Sequence, residues 1–169
     1  REVLASPAYL ERLNKPTPWS IKMMPHHAGM VRSLCQVNAS AGAGVGRYML
    51  SVRLAPNAQQ AAALRAYLET LVATLPTRRG VTGAHWLERA DLGQIAQTQE
   101  QRIRGQDRMA DWVFLVCGYD AESLRGLMAL ELAPGTLETH GATGQVQGDG
   151  SACGAGLYGM SATLSATEV

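Results

Sequence analysis

The sequence has almost no net charge: its 169 residues include 15 Lys and Arg and 14 Asp and Glu. A nearly neutral chain has little electrostatic attraction for nucleic acids or anionic membranes, so we expect neither as a partner. Long apolar runs are also missing, and the apolar stretches fall well short of the roughly 20 residues that cross a bilayer. The length suits a single soluble domain with one core and an N-terminal extension.

Cysteines are few as well, and the three of them are Cys35, Cys117 and Cys153. Their odd number and wide spacing disfavour a disulfide framework and favour a reducing compartment, so we expect a cytoplasmic location. Cys117 lies in the most apolar segment and is predicted to be inert. Cys153 lies in a Gly-rich segment and is predicted to be the more reactive thiol.

No stretch carries a recognisable catalytic or cofactor motif. The glycines at positions 42, 44 and 46 lack the spacing of a phosphate loop and precede a strand instead of a helix. His26 and His27 are adjacent, and in extended backbone such side chains point to opposite sides and rarely share one ion. We therefore predict no metal site and no cofactor.

The order strand, helix, strand occurs twice, across Tyr48–Glu88 and again across Asp111–Leu164. Apolar residues alternate within the predicted strands and recur at helical spacing in the segment between the first two. Asp120 is placed to cap the second helix. The predicted strands of the two units are Tyr48–Leu54, Val81–Glu88, Asp111–Tyr119 and Ala155–Ser165.

The remaining segments are less regular. Ser6 and Pro7 suit the start of a helix that runs through Leu13. The prolines at positions 16 and 18 predict extended backbone from Lys15 to Trp19. Further predictions are a strand at Met30–Ala39, a flexible connection at Asn38–Gly46, a short helix near Thr98–Arg104 and an irregular loop at Ala133–Gly150.

Two strand-helix-strand units predict the α+β class, with a ferredoxin-like sheet of four antiparallel strands and both helices on one face. We assign residues 1–46 to an N-terminal arm with an extra strand and residues 47–169 to the ferredoxin-like domain. The other face of the sheet would expose a large apolar patch if it were bare. We therefore expect a second copy or the N-terminal arm to cover it.

Two segments carry a resemblance to a known superfamily. Gly80–Leu87 (GVTGAHWL) precedes a long loop, and Asp111–Asp120 (DWVFLVCGYD) leads into the second helix. Together with the order of elements, from about Arg47 to Leu164, they resemble the dimeric α+β barrel superfamily. The resemblance implies a homodimer whose two sheets enclose a pocket. The superfamily includes cofactor-free quinol and polyketide monooxygenases, haem-degrading enzymes, lactone isomerases and proteins without a known reaction.

His85 is the first candidate for chemistry, because a histidine can transfer protons near neutral pH. The sequence leaves its face open. If Val81 and Leu87 face the helices, His85 is a core residue and Trp86 lines the pocket. If they face the barrel interior, His85 lies inside the pocket.

Polar residues also alternate with apolar ones in the first and last strands, and in a barrel such a surface is the cavity wall. A salt bridge from Arg53 to Glu88 across the sheet is one interpretation of this arginine. The other is that Arg53 holds a carboxylate or an enolate oxygen through a charge-assisted hydrogen bond. The predicted substrate-binding residues are Tyr48, Ser51, Trp86 and Ser161.

The leading hypothesis is a homodimer that binds a small apolar or aromatic compound and acts as a cofactor-independent monooxygenase or isomerase. His85 is then the acid or base, and Arg53 holds the anion. The rival hypothesis is a non-catalytic binding or accessory dimer, since no convergent set of reactive residues stands out. A third hypothesis, haem binding by a histidine, predicts an intense visible absorption band with haemin.

Overall fold

The chain forms two compact units that alternate along the sequence. The computed structural model describes residues 6–26, 31–42, 45–91, 98–104, 109–143 and 154–162. One unit comprises Arg1–Arg32 and Asp91–Met109, and the other comprises Ser33–Ala90 and Ala110–Val169.

In chain order the elements are α1 (Pro7–Asn14), α2 (Pro18–Met23), β1 (Cys35–Ala41), β2 (Tyr48–Pro56), α3 (Ala61–Thr74), β3 (Val81–Arg89), α4 (Gln99–Arg104), β4 (Trp112–Gly118), α5 (Ala121–Ala129), α6 (Pro134–Thr139), β5 (Ala142–Thr143) and β6 (Gly154–Gly159). Short 3₁₀ turns follow α2 and α3. Within the described ranges, none of the helices has the length and apolar character needed to span a bilayer.

Helices α1 and α4 of the first unit confirm two predictions. The Ser6 hydroxyl caps α1 by accepting from the N–H of Tyr9 at 3.3 Å, and Pro7 occupies the first turn. Helix α4 matches the short helix expected near position 98. Its Gln99 N–H donates to Oδ1 of Asn14 at 3.1 Å, which connects it to the end of α1.

Helix α2 contradicts the prediction of extended backbone from Lys15 to Trp19, because it begins at Pro18. The Thr17 hydroxyl accepts from the N–H of Ser20 at 3.1 Å and so caps a helix that begins at Pro18. Proline suits the first helical position, since the N–H that it lacks has no intrahelical partner there. The second proline therefore starts a helix instead of preventing one.

The second unit holds one antiparallel sheet, so the predicted α+β class with an antiparallel sheet is confirmed. The strand order is β1-β3-β4-β2, with β6 on the other side of β2 and β5 paired with the last two residues of β2. This order is consistent with the ferredoxin-like class, in which β2-α3-β3 and β4-α5-β6 are the two strand-helix-strand units. Strand β1 adds to the outer edge of β3.

The two outer strands differ from their predicted bounds. Strand β1 begins at Cys35 instead of Met30 and continues to Ala41, inside the predicted flexible connection. Strand β6 ends at Gly159, well before the predicted end of the Ala155–Ser165 strand. Small residues dominate both outer strands, so the sequence pattern marks the ends of these strands only weakly.

The segment Ala133–Gly150, predicted to be irregular, contains α6 and β5 in its described part. Pro134 occupies the first turn of α6, where proline is favoured. Leu137 is completely buried and contributes to the core of the sheet unit. Leu137 therefore packs this short helix against the core, together with the neighbouring Leu132 and Ala142.

The core lies between α3, α5 and one face of the sheet, which we call the helix face. Burial of an apolar side chain contributes about 1.5–3 kcal/mol, so this layer provides most of the stabilisation of the unit. The helices contribute Leu64, Leu68, Leu71, Val72, Leu124 and Leu127. The helix face contributes Leu50, Val52, Leu54, Ala84, Trp86, Trp112, Phe114 and Val116.

A bulge near the start of β3 decides which residues belong to this face. Val81 pairs with Gly118 and Gly83 pairs with Cys117, so Thr82 is an extra residue opposite β4. Val81 is therefore buried in the core although simple alternation would place it on the same side as His85. The bulge explains why the sequence could not assign the faces of β3.

The turn before β3 packs closely against the start of α5 at Gly80. Its φ of 91° is one that L side chains rarely adopt. Its N–H donates to the Tyr119 hydroxyl at 3.0 Å, and its carbonyl accepts from the Tyr119 N–H at 3.0 Å. A Cβ on Gly80 would lie 2.4 Å from Oγ of Ser123, so a side chain has no room there.

We predict that Gly80→Ala lowers the free energy of unfolding by about 1–3 kcal/mol, because the left-handed conformation alone costs an L residue about 1–2 kcal/mol. Gly126→Ala is the matched control. Gly126 lies in α5, and a Cβ on it contacts nothing within 4 Å. Alanine should stabilise that helix by roughly 0.5–1 kcal/mol. Urea unfolding should therefore show that the two substitutions change the free energy of unfolding in opposite directions. A Gly80→Ala variant with the stability of the native chain would contradict the prediction.

Asp120 caps α5 as predicted. Its carboxylate accepts from the Ser123 hydroxyl at 2.6 Å and from the N–H groups of Glu122 and Ser123 at 3.2 and 3.3 Å. The Ser123 hydroxyl, followed by the Glu122 amide, holds the pKa of Asp120 below its ordinary value. The charged cap therefore favours the folded state.

We predict that the contribution of the charged Asp120 cap to stability is lost in acid. Because the pKa of Asp120 is lower in the folded state, its contribution is complete above the unfolded value of about 4 and declines as the pH falls through the folded pKa. Urea midpoints of the native chain and of Asp120→Asn, measured against pH, should differ most near neutrality and converge in acid. A difference that is independent of pH would contradict the assignment.

Candidate functional site

The sheet has a second face, turned away from α3 and α5, which we call the open face. Strand register and alternation place its side chains. Among the described helices of the sheet unit, α3 and α5 pack on the helix face instead, and most open-face side chains are half-buried. The open face comprises Val37, Ser40, Met49, Ser51, Arg53, His85, Leu87, Val113, Leu115, Cys117 and Tyr158.

His85 lies in the middle of the open face and has a polar partner. Its Nδ1 is 2.7 Å from the hydroxyl of Ser40 on β1. If Nδ1–H donates to Ser40, the unprotonated Nε2 of His85 is available as a base. The pair is thus equipped to accept or return one proton.

Backbone pairing extends this pair into a row across the sheet. His85 is opposite Leu115, Leu115 is opposite Ser51, and Ser51 is opposite Gly156. The predicted residues His85 and Ser51 therefore share one face and one row, with Leu115 between them. A ligand lying along this row would contact polar groups at both ends and an apolar surface in the middle.

Arg53 lies in the neighbouring row, opposite Val113. In the described part of the chain its guanidinium has no ion-pair or hydrogen-bond partner. The alternative salt bridge to Glu88 does not form, because Glu88 belongs to the opposite face and lies 3.7 Å from Arg65. A half-buried arginine without a counterion among apolar neighbours is suited to bind an anion.

Trp86 and Tyr48, two predicted substrate-binding residues, belong to the helix side of the sheet. Trp86 is 2% exposed and packs edge-on against Trp112 with ring centroids 5.1 Å apart. The Arg65 guanidinium lies over both indoles. Tyr48 packs against the same core. Of the two alternatives for β3, the structure adopts the one in which His85 and Leu87 face away from the helices.

Ser161 follows the end of β6 and is exposed. It therefore lies outside the paired strand that carries Tyr158 and Gly156. Sequence reasoning also missed two polar residues of the open face. The sequence pattern predicts a flexible connection at Ser40. Tyr158 is not among the predicted site residues, and the signal that could have identified it is its alternation with Gly156 in the last strand.

A second polar cluster lies on the helix side of the sheet unit. The rings of Tyr67 and His140 stack at 3.7 Å, and the Tyr67 hydroxyl donates to the carbonyl of Glu131 at 2.9 Å. The Glu131 carboxylate pairs with Arg78. Burial, together with the charge of Glu131, raises the pKa of Tyr67. These contacts connect α3 to the α5–α6 turn.

The cysteines and histidines offer no metal centre within the described ranges, where no three metal-binding side chains come together. Burial raises the pKa of the Cys117 thiol on the open face, and burial, opposed by the charge of Arg89, raises that of Cys35. Both thiols are therefore poor nucleophiles near neutral pH. His27 and Cys153 lie outside the described residues.

No family model matches the chain, and no curated protein or solved structure matches it either. The geometry of the open face is therefore the feature from which a function can be proposed.

Proposed function

We propose that the protein is a homodimeric α+β barrel, ferredoxin-like in each subunit, that binds a small apolar or aromatic compound between the open faces of two copies. The observation that carries this proposal is the contrast between the two faces of the sheet. The helix face is buried completely under α3 and α5, whereas the open face combines an apolar centre with His85, Ser40 and Arg53. Such a surface needs a cover that leaves room for a polar ligand.

A second copy is a suitable cover. Face-to-face packing about a two-fold axis brings the same patch from each subunit together. Leu87, Val113 and Leu115 would form the apolar contact. Arg89 is already paired with Asp111 at 3.2 Å, so among the described residues of this face Arg53 is the charge that an anionic ligand would neutralise in the dimer.

The chemistry that we propose is proton transfer on the bound compound, the step that isomerases and cofactor-independent monooxygenases share. Nε2 of His85 would take a proton from an activated carbon and return it, with Nδ1 held by Ser40. Arg53 would hold a carboxylate or enolate oxygen of the same ligand. His85 and Arg53 are on strands two positions apart, about 10 Å, which a small ring compound can bridge.

The alternative is a binding or accessory dimer without a reaction of its own. The apolar residues of the open face favour it, because packed sheets are only about 10 Å apart and their side chains can fill the interior. Leu115 would contribute most to such a filled interior, since it lies between His85 and Ser51 in one row. The two functions differ in whether His85 has access to a ligand.

We predict that the chain sediments at twice its 18.0 kDa mass and that Leu115→Asp converts it to a folded monomer. A carboxylate at the centre of an apolar contact is costly to bury, whereas it is solvated in the monomer. Leu130→Asp is the control, because Leu130 is 66% exposed beyond the end of α5. Sedimentation equilibrium gives the mass, and circular dichroism verifies folding. A native chain that sediments as a monomer would refute the barrel.

We further predict that the protein accelerates deuterium uptake from D₂O into phenylacetone, a neutral aromatic ketone with an acidic C–H. His85→Gln should reduce this acceleration by about 100-fold, the usual range for loss of a general base. His140→Gln is the control, since His140 stacks on Tyr67 on the helix side. Proton NMR gives both rates. Full activity in His85→Gln would exclude His85, and a native dimer without activity would favour the accessory function.

A further inference from the structure

Opposite Arg53 and Ser51, strand β6 presents glycines to the open face. Gly154 is opposite Arg53, and Gly156 is opposite Ser51. Two longer side chains occupy the space above these glycines. A Cβ on Gly154 would lie 3.3 Å from Nη2 of Arg53, and a Cβ on Gly156 would lie 2.6 Å from the hydroxyl oxygen of Tyr158.

The glycines therefore bring two hydrogen-bond donors near each other on an otherwise apolar surface. Gly154 and Gly156 are two residues apart on one strand, which separates them by about 7 Å. Two donors that grip one carboxylate from opposite sides, each with a hydrogen bond of about 2.8 Å, are separated by a similar span. Ser51 on β2 is opposite Gly156, next to this pair of donors.

The charges of the open face do not supply a partner for Arg53. The described strands and strand ends bring one carboxylate to this face, that of Asp111. It pairs with Arg89 at 3.2 Å. Glu88 belongs to the helix face, where it accepts from Nε1 of Trp112 at 3.2 Å. The described residues of a second copy bring the same set of groups, so among them face-to-face packing adds no free carboxylate for Arg53. An anionic ligand would supply it.

We infer that Arg53 and Tyr158 form a carboxylate subsite above Gly154 and Gly156, and that the ligand is a small planar carboxylic acid. This inference rests on the proposed function, since the second copy closes the site. Tyr158 is a positioning and specificity residue that the sequence did not reveal, and it is 54% exposed in the single chain. Its ring lies along β6, which leaves the hydroxyl facing the row of Ser51.

The distance to His85 limits the size of the acid. Strands β6 and β3 are three positions apart in the sheet, about 14 Å. One ring with a carboxylate, including hydrogen bonds at both ends, spans roughly 10–12 Å, and the side chain of His85 extends over the remainder. The ring would lie on Leu115, with its carboxylate at Arg53 and its opposite end toward His85.

The test uses benzoate and its neutral counterpart benzamide, titrated into the native dimer by isothermal calorimetry. Benzoate should bind at least 10-fold more tightly than benzamide, because only the carboxylate forms a charge-assisted pair with Arg53. Arg53→Gln should remove this preference and leave benzamide binding unchanged. Tyr158→Phe should weaken benzoate binding by about 3- to 10-fold.

Two further variants separate the subsite from general charge effects. Gly156→Ala should weaken benzoate binding at least as much as Tyr158→Phe, because the new methyl group displaces the Tyr158 hydroxyl. Arg125→Gln is the control for loss of a positive charge, since Arg125 pairs with Glu122 on α5. It should leave both affinities unchanged.

The outcomes distinguish the subsite from the proposed function. A charge preference that Arg53→Gln abolishes supports both. Equal binding of benzoate and benzamide, or a preference that survives in Arg53→Gln, overturns the subsite and leaves the apolar pocket in place. A dimer that binds neither probe overturns the subsite and the proposed pocket together.

Discussion

The architecture depends on one constraint: an antiparallel sheet has two faces, and the two helices of the strand-helix-strand units cover one of them. Leu50, Phe114 and Val116 are fully buried under α3 and α5. Because side chains alternate along each strand, the burial of this face fixes which residues are left for the other. The candidate site is therefore a consequence of how the core is built.

The tryptophans anchor this division. Trp86 and Trp112 pack edge to face within the core, and the Arg65 guanidinium covers both rings. A slip of one residue in β3 would move Trp86 into the open face and His85 into the core, at the cost of burying an imidazole and exposing an indole. The Glu88 carboxylate reinforces the register by accepting from Nε1 of Trp112 at 3.2 Å. The position of His85 is thus specified by its large neighbour.

The sequence predicted the fold class and the central strands well, because alternation in β2 and the apolar run of β4 are strong local signals. It could not assign the face of His85, since simple alternation places Val81 and Leu87 on the same side of the strand. The bulge at Thr82 breaks that phase, and a bulge has no clear local signature. Pairing between distant strands, such as Ser40 with His85, also depends on tertiary structure that no local pattern contains.

The composition of the open face favours a surface made to bind a ligand over one made only to pack. A purely structural contact between two sheets gains most from apolar side chains, since a buried charge without a partner is strongly unfavourable. Arg53 lies among such side chains, opposite Val113, without a counterion in the described part of the chain. A Cβ on Gly154 would lie 3.3 Å from Nη2 of Arg53, and Tyr158 adds a second donor over Gly156. The proposed anion would supply the partner that this charge and this phenol lack among the described residues.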